Sequence, residues 1–495
     1  MNWYFAAGDA PFFYPENIAA FSWLPQVIDW SKGFGESTIS KLWLEYPFRL
    51  LVKILFTLGL SWFLIEKIIW FGAVAIGIYG SLKLGTYILG RTKFRFFVPL
   101  IYLTNTYILM IFGGGQVGVF IGYCLFPCVL YAFFRYVETF TVPKLQIPNY
   151  KFQRIIQLGI LNSLLFACDL RVGILMIGCG IGYLLFSIFL NRNKVKIIPV
   201  VWAIVLIGLI ILISHLYWIL PAVFVKTAIP ILGSEYTGSG MAEFLSFADF
   251  SHALSLLHPN WPENLFGKTY FLQPEFLLLP LLAFSSLLFL NKDRISLIKD
   301  RILLFLICIA LLGAFLAKGA NPPFGNIFLW MFDHVPGLVL FRDPTKFYVL
   351  LALSYSVLIP YTLSELSYRW KCIDMLLAKY VMTTLFIVVW CLSVRDLLTG
   401  QLTGNFKPQY VPPDYVRLKT LLKDDQQFSR TLWIPTGEQY AYRSDTHPML
   451  SGYQIYTESS VPGMMAQMET SRLLMLLQVI YCLPAVQIRH WNCKM

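Results

Sequence analysis

The sequence predicts an all-α polytopic membrane protein with about ten transmembrane helices. Three observations carry that expectation. Only 13% of the 495 residues are charged and 57% are hydrophobic, where a soluble chain carries roughly 25% charged residues. Apolar stretches approaching the roughly 20 residues that a helix needs to cross a bilayer recur along the chain. The connections between them are basic at every second position.

Spans are expected near 68–89, 94–111, 116–136, 155–168, 171–190, 197–219, 275–291, 301–318, 346–364 and 377–396. The stretch before them, 41–66, is apolar and helical in character but punctuated by Lys53, Glu66 and Lys67. It suits a helix lying along the interface as well as a span. Basic loops follow alternate spans: Arg91, Lys93 and Arg95; then Lys144, Lys151 and Arg154; then Arg192, Lys194 and Lys196; then Lys292, Arg294, Lys299 and Arg301; then Arg369, Lys371 and Lys379. Lys and Arg collect in cytoplasmic loops, so these mark the cytoplasmic side. Removing either member of the short pair at 155–190 would put the later basic loops on the wrong side.

The opposite, non-cytoplasmic side then receives residues 1–66, the turn 112–115, the break at 169–171, the loops 220–274 and 319–345, and the tail. Two parts are expected, a transmembrane domain over 1–398 and a non-cytoplasmic soluble tail over 399–495. Within the tail, Tyr410-Val411-Pro412-Pro413-Asp414-Tyr415 and the strand-like Arg430-Thr431-Leu432-Trp433-Ile434-Pro435 read as the start of a small α/β or β segment.

The net charge of +12 contains no basic run long enough to track a phosphate backbone, which argues against nucleic acid as a partner. The nine cysteines form no CxxC pair, so neither a disulfide framework nor a zinc site follows. No metal motif is present. His258 or Glu263 could join an acid of the first loop on a divalent ion, but a solvated loop explains them as well. His215, beside Trp218 at the end of its span, suits a hydrogen-bonded interfacial histidine.

Four places carry candidate chemistry. Asp9, in Gly8-Asp9-Ala10-Pro11, is ordinary turn chemistry or an acid held at the bilayer edge as a proton acceptor, with Glu16 and Asp29 as neighbours in the same segment. Asp169 and Arg171 interrupt an apolar stretch. They are either a mutual ion pair at a helix junction or groups turned toward an external cavity and an anionic headgroup. Gly113-Gly114-Gly115-Gln116 is a tight turn, or else presents backbone amides to a phosphate. In Phe341-Arg342-Asp343-Pro344-Thr345-Lys346-Phe347, Asp343 suits an N-cap and Pro344 the first helical position. Arg342 and Lys346 then flank the positive end of a helix, an arrangement that receives phosphate or diphosphate or serves as snorkelling cations at the membrane boundary.

Taken in order, Gly8-Asp9, Phe341-Arg342-Asp343-Pro344-Thr345-Lys346-Phe347, and Val411-Pro412-Pro413-Asp414-Tyr415 leading to Arg430-Thr431-Leu432-Trp433-Ile434-Pro435 resemble the GT-C glycosyltransferase superfamily. The likeness is to proteins related to the arabinofuranosyltransferase N-terminal domain, and it covers residues 8 to 435. It implies a GT-C-like fold and transfer of a sugar from a polyprenyl-phosphate-linked donor to a glycan, lipid or protein acceptor outside the cytoplasm. It makes Asp9 the catalytic base, and Arg342 and Lys346 contacts of the donor phosphate. It leaves room for a divalent metal. That family carries a span before its Gly-Asp loop and a longer external domain after the bundle, so segments beyond either end are expected. The rival classes are a transporter or lipid flippase, and a non-catalytic assembly factor of the cell envelope. A transporter would gather its buried charges near the midplane of the bundle.

Overall fold

The computed structural model describes residues 3–29, 36–141, 148–190, 197–225, 238–257, 274–290, 298–369, 375–411, 413–424, 431–432 and 460–461. Each expected span is a helix or a closely joined pair of helices. Trp62–Leu89, Val117–Thr141, Pro148–Cys168, Leu170–Leu190, Ile298–Ala317, Tyr348–Arg369 and Met375–Ser393 are single α-helices. Pro274–Phe284 continues as a 3-10 turn to Phe289. Five helices among the described residues are long and apolar enough to cross a membrane, seven if each bent pair counts as one span, and three shorter apolar helices accompany them. The chain is therefore an integral membrane protein. The basic segments 191–196, 291–297 and 370–374 lie outside the described residues, as do His258, Glu263 and the tail residues 433–435.

The two bent pairs have identifiable causes. Between Phe97–Thr104 and Thr106–Gly113 the axis turns by 41° at Asn105. The Asn105 side chain accepts the Ile108 N–H at 3.2 Å and donates to the Ile101 and Tyr102 carbonyls at 3.0 and 2.7 Å. It thus satisfies both the new helix start and the old helix end. At His215 the chain turns by 75° between Ile197–Ser214 and Leu216–Phe224. There Nε2 donates to the Ser163 carbonyl at 3.0 Å and Nδ1 accepts from the Trp218 indole at 3.0 Å. Both ring nitrogens are occupied, which fits the hydrogen-bonded histidine expected from the sequence.

Two boundaries move. The first long helix begins at Trp62 rather than near 68, so Glu66 and Lys67 lie inside it. Their charges do not break it because Lys67 pairs with Glu66, the Phe5 N–H donates to both Glu66 oxygens at 3.2 and 3.3 Å, and Lys67 also donates to the Trp3 carbonyl at 3.1 Å. Ahead of it, Leu42–Thr57 is a separate helix containing Pro47.

The main hydrophobic core runs through the bundle, from Ile65 and Trp70 through Tyr107, Tyr123 and Phe305 to Tyr348 and Leu363, beside a smaller cluster of Ala132, Tyr136, Leu158 and Ala203. Among the described residues, strand structure is confined to short pairs. Ile28–Asp29 runs antiparallel to Glu36–Ser37, and Thr431–Leu432 parallel to Ser460–Val461. A helix over Pro413–Asp424 begins at the second proline of the tail motif.

Candidate functional site

Three segments singled out in the sequence meet at one end of the bundle. The Gly8-Asp9 turn rests on the Gly113-Gly114-Gly115 turn, with the Asp9 N–H donating to the Gly114 carbonyl at 2.8 Å. Gly115 is required by this approach. A Cβ on Gly115, which has φ 71°, would lie 2.2 Å from the Ala7 oxygen and 2.3 Å from the Ala10 nitrogen. The amides of Gly114, Gly115 and Gln116 each donate to a carbonyl of the preceding helix, Met110, Phe112 and Ile111 respectively. The turn is thus a seat for the Asp9 loop, and the alternative of three amides facing a phosphate is corrected. The Asp9 side chain is exposed.

One residue past this turn, Gln116 accepts a hydrogen bond from the Lys346 ammonium at 2.9 Å. Lys346 is buried and also pairs with Asp343 at 2.9 Å. Asp343 is the expected cap: its carboxylate accepts from the Thr345 N–H at 3.1 Å and from the Thr345 hydroxyl. The helix entry is a 3-10 turn over Pro344–Phe347 that runs into Tyr348–Arg369. Arg342, half-buried, precedes the cap.

Asp169 sits between Pro148–Cys168 and Leu170–Leu190 and is 1% exposed. Its carboxylate takes a two-pronged contact from Arg171, Nε at 3.1 Å and Nη2 at 2.7 Å, plus the backbone N–H groups of Arg171 and Val172 at 2.9 and 3.1 Å. The mutual ion pair is therefore present. Burial pushes this carboxyl up, but Arg171, the Val172 N–H and the Lys346 charge together outweigh burial and hold it below the usual carboxylate range. Leu170–Leu190 packs on the Pro344–Phe347 turn, so Asp169–Arg171 and Asp343–Lys346 form neighbouring pairs behind the Asp9 turn.

Other acids of the first segment are placed elsewhere. Glu16 pairs with Lys419 of the Pro413–Asp424 helix at 2.6 Å. Asp29 is in the Ile28–Asp29 strand, its side chain outside the described residues. Among the described residues no three His, Cys, Asp or Glu side chains gather as metal ligands. Sequence reasoning missed Gln116 as a partner of Lys346 and missed Asn405 altogether, whose contacts join segments 398 residues apart. Nothing local in the sequence signals either pairing.

No protein-family model and no curated protein matches the chain. Among solved structures, the cryo-EM structure of arabinofuranosyltransferase AftD from Mycobacteria is similar, with a TM-score of 0.61 and 14% identity. The match covers 92% of this chain and 30% of that one, so the chain spans less than a third of that enzyme's length. The likeness is one of fold, and the polytopic GT-C-like bundle expected from the sequence is the architecture observed.

Proposed function

We propose that the chain is an inverting membrane glycosyltransferase that moves a sugar from a polyprenyl-phosphate-linked donor to a glycan, lipid or protein acceptor on the non-cytoplasmic face of the cell membrane. The observation that carries this reading is the meeting of the Asp9 turn, the glycine turn and the Asp343–Lys346 helix entry on a fold like that of an arabinofuranosyltransferase. Asp9, exposed at the end of the bundle, takes the proton of the acceptor hydroxyl. The hydroxyl oxygen attacks the anomeric carbon, the bond from that carbon to the phosphate oxygen breaks, and polyprenyl phosphate leaves with the electron pair. Arg342, at the positive end of the Tyr348–Arg369 helix, meets the charge that develops on the phosphate. Lys346 is engaged by Asp343 and Gln116, so it contributes its field to the same place while shaping the loop. Asp169 holds Arg171 behind them.

The placement of buried charge supports an enzyme over a transporter. Lys53, Glu66, Asp169, Arg301, Lys318 and Lys346, buried among the described residues, all lie within about a turn and a half of a helix end. A transport site would stand near the midplane.

The test uses the full chain in nanodiscs with polyprenyl-phosphoryl arabinofuranose and a panel of other polyprenyl-phosphoryl sugars as donors. Asp9→Asn keeps the backbone bond to Gly114 and is expected to fold and bind donor normally, while transfer falls by roughly 10²–10⁴-fold. Full activity in Asp9→Asn would move the base elsewhere, and no transfer from any donor by the wild-type chain would refute the enzymatic reading.

A further inference from the structure

Residues 404–409 lie beyond the Met375–Ser393 helix, yet they return to the Asp9 turn. Asn405 is buried, and its carboxamide joins two segments far apart in the chain. Its Oδ1 accepts the Ala7 N–H at 3.0 Å and its Nδ2 donates to the Phe112 carbonyl at 3.0 Å. The amide orientation follows from its partners, since a backbone N–H only donates and a carbonyl only accepts. Asp9 comes two residues after Ala7, and Gly114 two after Phe112; the Asp9 N–H donates to the Gly114 carbonyl at 2.8 Å. The side chain therefore closes a ring whose other closure is the bond under Asp9 itself.

The approach is built for contact. Gly404 has φ 68°, and a Cβ there would lie 2.1 Å from the Gly113 oxygen. The Phe406 ring meets Phe112 at 4.9 Å, and the Tyr4 N–H donates to the Gln409 carbonyl at 2.8 Å. We infer that Asn405 is a positioning residue for Asp9, holding the base at its working place by tying the segment at Ala7 to the glycine turn. The inference rests on the glycosyltransferase reading above. Asn405 itself touches no substrate. The segment after the last span is on this account part of the site.

The experiment compares Asn405→Ala, Asn405→Asp and Gly404→Ala, each alone and combined with Asp9→Asn. It uses the full chain in nanodiscs with polyprenyl-phosphoryl arabinofuranose as donor. A positioning role gives a kcat roughly ten- to a hundredfold lower, with donor KM and thermal midpoint near wild type. It gives almost no further loss on the residual rate of Asp9→Asn, because both changes act through one group. Asn405→Asp keeps an acceptor for Ala7 but loses the donor to Phe112, and should fall between. Amide hydrogen exchange over residues 4–10 should quicken in Asn405→Ala while the bundle stays protected. If Asn405→Ala fails to fold, Asn405→Asp and Gly404→Ala carry the same expectations. Wild-type turnover in the folded variants, or losses that multiply with Asp9→Asn, would overturn the positioning role alone. A wild-type chain inert toward every donor would overturn the enzymatic reading and the positioning role with it.

Discussion

Replacing Gly115 by alanine tests whether the glycine turn is a seat for the proposed catalytic loop. The residue has φ 71°, a region in which an L side chain costs roughly 1–2 kcal/mol. The larger effect is steric. The new Cβ would sit 2.2 Å from the Ala7 oxygen and 2.3 Å from the Ala10 nitrogen, both backbone atoms on either side of Asp9. Ordinary contact begins near 3.4 Å, so the Gly8-Asp9 loop must retreat by more than an ångström. A shift of about 1 Å in a catalytic group costs up to roughly a hundredfold in rate. Gly115→Ala should therefore lower kcat far more than its loss of stability explains. Gly178→Ala is the control, because nothing lies within 4 Å of a Cβ at that position. Sugar transfer in nanodiscs, read beside a fluorescence melt, decides it. A folded Gly115→Ala with wild-type kcat would refute the argument that the turn positions Asp9.

Arg342→Ala should weaken binding of a polyprenyl-phosphate analogue by about ten- to a hundredfold, since a hydrogen bond to a charged group is worth roughly 1.5–3 kcal/mol. Arg342→Lys should restore part of this because a point charge lacks the planar fork, and unchanged affinity in Arg342→Ala would leave the residue a membrane-boundary cation. Asp169 is held below the usual carboxylate range. Its contribution to stability is thus complete above about pH 4 and disappears as pH falls through its lower folded value. Asp169→Asn should cost about 2–3 kcal/mol, less than for a fully buried pair because Arg171 is 27% exposed, and should flatten the acid side of the melting profile. Parallel profiles for variant and wild type would count against it. Single cysteines placed at Lys194 and Glu243 should label from opposite faces of the membrane, and labelling from one face would end the proposed topology.

The helical bundle was legible because apolar runs and alternating basic loops are local signals. The departures mark where distant contacts intervene. Glu66 and Lys67 read as a break before a span, yet the helix passes through them because the Phe5 N–H and Trp3 carbonyl, more than 60 residues away, share their charge. Asn105 and His215 bend two runs that read as continuous. A polar residue inside an apolar stretch was the available clue, but the partners that make the bend, such as Ser163 for His215, are set by tertiary packing. The glycine triplet read correctly as a turn. Its purpose became visible only with Ala7, Ala10 and Gly404 against it.

Lys346 shows how a local signal can be present and outweighed in the reading. Its place near a helix N-terminus suggested an open cation, but Asp343 stands three residues earlier, a spacing that brings the two side chains together on a helical turn. The pair neutralises itself, as Asp169 and Arg171 do, and a buried lysine without such a partner would be costly. On the proposed mechanism the charge that meets a leaving phosphate comes from Arg342 and the helix end, with the Asp343–Lys346 and Asp169–Arg171 pairs fixing the geometry of the loop that carries them. Asp9 follows a different rule. Its backbone is bound to the glycine turn while its carboxylate stays at the surface. The backbone bond to Gly114 fixes the loop whatever the state of the carboxylate, so the acid keeps its place as it gains or loses a proton.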